Sequence, residues 1–70
     1  MNLDLDCRGL LCPLPVIKLA QALPSVAVGD TITVLADDPA AATDIPAWCR
    51  MRSQELVSAI ENQYVVRRLN

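Results

Sequence analysis

A thiol stands directly ahead of two closely spaced prolines in Cys12-Pro13-Leu14-Pro15, and that order of residue types has chemical consequences. Proline suits the first turn of a helix, where its fixed φ matches the helical backbone and its missing N–H costs no intrahelical bond. Val16, Leu19, Ala20 and Leu23 follow at helical spacing. The pattern predicts a helix over 13–23, with Cys12 as N-cap, Pro13 at the first position and Pro15 at the third. Two amide hydrogens are then absent, and the Leu14 N–H is the donor left to face the sulfur. A thiol so placed sits at the positive end of the helix dipole, which favours the thiolate. The dipole contributes only ~0.3–1 kcal/mol at an exposed site, against about 1.4 kcal/mol for one pKa unit. The Leu14 amide and a cation must therefore help, and Arg8 is the nearest cation in sequence. The chemistry implied is that of a nucleophilic sulfur. The alternative, a cysteine used as a small buried hydrophobe, does not require flanking prolines.

The remaining chemistry-bearing residues narrow the choice. There is no histidine among the 70 residues, which excludes a cysteine–histidine dyad and a histidine-ligated zinc site, so activation of Cys12 has to be electrostatic. The three cysteines, Cys7, Cys12 and Cys49, do not match a structural zinc spacing. No metal and no cofactor are expected. Cys7 has two readings, a resolving thiol for Cys12 or a side chain packed at a strand end. Cys49, beside Trp48, reads as core.

The elements that position these residues follow from periodicity and turn chemistry. Residues 3–6, Leu3-Asp4-Leu5-Asp6, alternate apolar and charged, the mark of a half-buried strand. Gly9 supplies a turn before the first helix, which ends ahead of Pro24. Gly29-Asp30 is a second turn, and 31–35, Thr31-Ile32-Thr33-Val34-Leu35, is a β-branched strand placed centrally in the sheet. Strand, helix, strand in that order implies a crossover with parallel strands. Asp37-Asp38-Pro39 is a helix start, aspartate capping and proline at the first position. That helix runs toward Met51, and Pro46 predicts either a kink or a restart capped by Asp44. Residues 55–60 and 64–69 read as a hairpin turned at Glu61-Asn62-Gln63, with Glu55 alternatively the end of the helix. The expected fold is α/β (α+β), a two-layer sandwich β-α-β-α-β-β. Both helices lie on one face of a mixed four-stranded sheet, and the other face is open.

Composition bounds the rest. A chain of 70 residues is a single domain near the lower limit for folding on a hydrophobic core alone. The start of the chain lacks the basic region and apolar core of a secretory signal, and no stretch resembles a membrane span. A cytoplasmic setting is expected, and its reducing conditions keep thiols free. The net charge of −2 argues against direct nucleic-acid binding. Arg50, Arg52, Arg67 and Arg68 read as solvated arginines or as a patch for an acidic protein. On the first helix Leu14, Lys18 and Gln21 lie opposite the apolar face. Leu14 is then either a docking contact beside the sulfur, with Lys18 and Arg8 steering an acidic partner, or a leucine exposed without a role.

The run from Leu5 to Val16, with Arg8-Gly9 ahead of Cys12-Pro13-Leu14-Pro15, resembles the N-terminal signature of the TusA/SirA-like sulfur carrier proteins. Ala36-Asp37-Asp38-Pro39-Ala40 and Asp44-Ile45-Pro46-Ala47-Trp48-Cys49 are similar to that family's second block, so the resemblance covers nearly the whole chain. It implies that Cys12 accepts a sulfane sulfur as a persulfide from a cysteine desulfurase or rhodanese-like donor and relays it to an acceptor protein. Family members serve tRNA thiolation, molybdenum-cofactor biosynthesis and sulfur metabolism. The sequence departs from many members at Gln54, near which they carry a histidine, in a region that helps choose partners. Two other functions compete with sulfur carriage. One is a thiol redox protein using Cys12 with Cys7, and the other is a non-catalytic regulatory binding module.

Overall fold

The computed structural model describes residues 2–70. The elements run β1 (Asn2–Asp6), α1 (Leu14–Ala22), β2 (Thr31–Leu35), α2 (Ala41–Met51), β3 (Glu55–Ile60) and β4 (Gln63–Arg67), with one 3-10 turn, Leu23–Ser25, after α1. The sheet order is β1-β2-β4-β3. β1 and β2 are parallel, as the crossover through α1 requires, and the other two pairings are antiparallel. This is the expected α+β architecture, a mixed four-stranded sheet with two helices packed on it, and β2 is a central strand.

One face of the sheet carries the core, because residues opposite each other across a ladder share a face. Leu3 opposes Ile32, and Ile32 opposes Val66; Leu5 opposes Val34, and Val34 opposes Tyr64. Leu19 of α1 and Ile45, Trp48 and Cys49 of α2 pack into the same cluster. The opposite face holds Asp4, Thr33 and Val65 in one cross-strand row. An Arg67–Glu55 ion pair of 2.8 Å, exposed at both ends, joins β4 to β3.

Several boundaries differ from the sequence expectation. Helix α1 begins at Leu14, with Pro13 as its N-cap, so Cys12 stands one residue outside the helix. Pro15 is fully buried, whereas Ile17 joins Leu14, Lys18 and Gln21 on the exposed side. Helix α2 begins at Ala41. The preceding turn is built on Asp38, whose carboxylate accepts the Ala40 N–H at 2.9 Å while its carbonyl accepts the Ala41 N–H at 2.9 Å. Pro46 lies inside α2 without a restart at Asp44. Its ring removes the donor that would reach Ala42, a residue on the exposed side where water can serve the carbonyl.

The hairpin turns at Glu61 and Asn62, both with positive φ (49° and 65°), the type I′ geometry that asparagine tolerates. Glu55 belongs to β3, and a bulge between Leu56 and Ser58 bends that edge strand. The buried Gln54 fastens the end of the chain. Its carbonyl oxygen accepts the Leu69 N–H at 2.7 Å and its amide donates to Asn70 Oδ1 at 2.7 Å.

Ile32 is fully buried in a central strand, so Ile32→Ala should cost about 2–5 kcal/mol in urea unfolding. Arg67→Ala, breaking an exposed pair, should cost at most ~1 kcal/mol. Equal losses in the two variants would contradict this account of the core.

Candidate active site at Cys12

The site is assembled where the carboxyl ends of two parallel strands lie side by side. Asp6 and Leu35, the last residues of β1 and β2, are paired, so the chain leaving β1 and the chain leaving β2 emerge together. Ends of neighbouring parallel strands are where open α/β sheets place their sites. Cys7 extends the ladder by one bond, donating its N–H to the Leu35 carbonyl at 2.7 Å. The backbone then turns through Gly9, whose φ of +81° suits a residue without Cβ.

Two aspartates from the β2–α2 connection clamp this turn. The Gly9 N–H donates to Asp37 Oδ1 at 3.0 Å and the Cys12 N–H donates to Asp38 Oδ2 at 2.9 Å. Asp38 thus holds the cysteine loop with one carboxylate oxygen and the entry to α2 with the other. Both donors stabilise its charge, Ala40 first and Cys12 second, and keep Asp38 below the usual carboxylate range. Sequence reading assigned Asp37 and Asp38 to helix capping alone; the signal for the clamp is that an Asp-Asp pair follows the strand parallel to the one preceding the thiol.

The support expected for the thiolate is arranged differently. The Leu14 N–H, expected to face the sulfur, donates to the Leu11 carbonyl at 2.9 Å. The Cys12–Pro13 peptide is cis, and Pro13 caps α1 with no side-chain bond. Arg8 is engaged by Asp6 through Nη2–Oδ2 at 2.7 Å and Nε–Oδ1 at 2.9 Å. That pairing draws the Asp6 carboxyl down to about 2. The charged groups that act on Cys12 are Asp38 and Asp44. Partial burial and then these two carboxylates favour the protonated form and push the Cys12 pKa up. Tyr64, buried at the same end of the core, has its own pKa raised by burial and by Cys12.

Cys12 is half-buried, whereas Cys7 and Cys49 are buried, and all three are free thiols. Burial raises the pKa of both buried thiols and keeps them from solvent. Exposed apolar side chains flank Cys12 along the chain, Leu11 at 72 % and Leu14 at 44 %, and Ile17 and Met51 are exposed further along α1 and α2 at 43 % and 78 %. A groove of about 250 Å³ is lined by Pro13, Val16, Asp44, Ala47, Trp48 and Met51. It starts at the two neighbours of Cys12, Pro13 and Asp44, and runs along α2. A separate depression of about 300 Å³ shares only Trp48 with it and is lined also by Arg52 and Gln54. Among the described residues no three Cys, Asp or Glu side chains converge as a metal site would require. No helix among them is long and apolar enough to cross a membrane.

Comparison with known proteins shows what the chain is similar to. The family model described as "Sulfurtransferase TusA" matches residues 3–68. A protein of Archaeoglobus fulgidus named "Putative sulfur carrier protein" is 49% identical over 54 residues, covering 77% of this chain and 70% of its own length.

Alkylation of the native chain by iodoacetamide should modify Cys12 alone and rise with pH through a midpoint above the free-cysteine value of about 8.5, because the thiolate is the reacting form. Mass mapping locates the label, and a midpoint near neutrality would refute the electrostatics described.

Proposed function

Because the chain belongs to the TusA sulfurtransferase family, we propose that it is a sulfur carrier in which Cys12 accepts a sulfane sulfur as a persulfide and relays it to an acceptor protein. The observation that carries this reading is that Cys12 is the one free cysteine with access to solvent among the described residues, in a loop held by two aspartates of the β2–α2 connection.

The transfer is an exchange between sulfurs. Cys12 loses its proton, and Sγ attacks the terminal sulfur of a donor persulfide. A new S–S bond forms on Cys12 as the donor's S–S bond breaks, and the donor cysteine leaves as a thiolate. One persulfide is consumed as another is made, so no external oxidant or reductant enters. Delivery repeats the step with the acceptor thiolate as attacker and Cys12 as leaving group.

Cysteine desulfurase or rhodanese-like proteins are the donors this reading implies, with a downstream acceptor protein, in the cytoplasm. Pro13 and Pro15 fix the backbone after the thiol, Gly9 makes the turn before it, and Leu14 presents an apolar contact beside it. A redox cycle through Cys7 would have to expose a fully buried side chain, which favours carriage over the redox reading.

Incubation with a cysteine desulfurase and cysteine, followed by intact-mass measurement, tests the proposal. Wild type and Cys7→Ser should each gain one sulfur atom that a reductant removes, and Cys12→Ser should gain none. Loading of Cys12→Ser would overturn the assignment, and loss of loading in Cys7→Ser would favour the redox cycle.

A further inference from the structure

Among the described residues no cation acts on the sulfur. Of the six cationic side chains, Arg8 is held by Asp6 and Arg67 by Glu55. Arg68 donates to the Val26 and Asn70 carbonyls, and Arg52 lines the other depression. Lys18 and Arg50 are exposed on the helices, and neither is among the charges acting on Cys12. The groups that face the thiol are Asp38 from the β2–α2 connection, Asp44 from α2 and Tyr64 from β4. Neither aspartate forms an ion pair among the described residues. The local charge is therefore acidic, which reverses the expectation that Arg8 and Lys18 steer an acidic partner.

The groove beside the thiol is apolar along Pro13, Val16, Ala47, Trp48 and Met51, and its one charged lining residue is Asp44. Any partner that covers the groove removes water from that carboxylate, and an unpaired charge buried in an interface is strongly penalised. Building on the sulfur-carrier reading above, we propose that the partner exchanging sulfur with Cys12 lays an apolar side chain in this groove and sets a lysine or arginine against Asp44, and that this cation activates the thiol. The same contact does two things. It satisfies the carboxylate that docking would otherwise strand, and it turns the field at the sulfur from one that retains the proton to one that releases it to water. Partners without a correctly placed cation neither dock well nor meet a nucleophile.

The test uses symmetric disulfides of three short peptides, Leu-Lys-Cys, Leu-Glu-Cys and Gly-Lys-Cys. Exchange with native protein is followed by intact mass, and each rate is normalised to that of an unstructured cysteine peptide. Lysine should be preferred to glutamate about tenfold, and leucine to glycine about threefold. Asp44→Asn should collapse the lysine preference while speeding the Leu-Glu-Cys reaction. Should that variant fail to fold, added salt must shrink the wild-type preference. Equal rates for lysine and glutamate, or a preference that survives Asp44→Asn, would overturn the cation contact, and equal rates for leucine and glycine would overturn the groove contact. None of these reactions transfers sulfane sulfur, so failure of the carrier reading is read separately, from the loading of Cys12 with a desulfurase.

Discussion

The carboxylate of Asp38 ties the cysteine loop to the start of α2. One oxygen receives the Cys12 N–H and the other the Ala40 N–H, both at 2.9 Å. A single ionised side chain thus fixes the position of the thiol relative to the start of α2. Charge-assisted bonds to backbone donors are among the stronger polar contacts available near a surface. The parallel pairing of β1 with β2 makes the contact possible, since it brings the two outgoing loops together. The groove follows from the same constraint, because α1 and α2 leave from those adjoining loops and their facing sides form its walls.

That constraint has an electrostatic cost for the sulfur. An aspartate close enough to hold the Cys12 backbone is close enough to oppose a negative charge on its side chain, and Asp44 adds to the opposition. Burial first and these two carboxylates second disfavour the thiolate form of Cys12. For a solvent-reachable cysteine this limits adventitious oxidation and alkylation, which proceed through the thiolate. Position and reactivity are controlled by separate groups: the backbone clamp sets the first, and the charges around the sulfur set the second.

A domain of this size has little core to spare, and its polar groups are arranged to match. Gln54 is the buried polar residue of the described chain, and bonds to Leu69 and Asn70 satisfy it. Family resemblance placed a histidine near this position in many members. Here the neutral amide holds Leu69 and Asn70 beside the depression lined by Arg52 and Trp48.

The order of the elements, the parallel start and the central place of β2 were legible in the sequence, because alternation at Leu3 to Asp6 and the β-branched run at Thr31 to Leu35 are local signals that the fold obeys. The candidate position was legible too, since the proline pattern beside Cys12 depends only on near neighbours. Helix starts were misplaced by one or two residues: a turn closed by Leu11 and Leu14 precedes α1, and a turn built on Asp38 precedes α2. The surroundings of the sulfur were hidden for a different reason. Arg8 is near Cys12 along the chain, but Asp6 is nearer to Arg8 and takes its charge. Asp38 and Asp44 are distant in sequence and become neighbours of Cys12 only when β1 and β2 pair and α2 packs beside α1. Residue types and short spacings therefore singled out the Cys12 sulfur as the candidate atom. Its protonation and the groove next to it were decided by tertiary structure, because electrostatic fields and cavities depend on distances through space that no local pattern encodes.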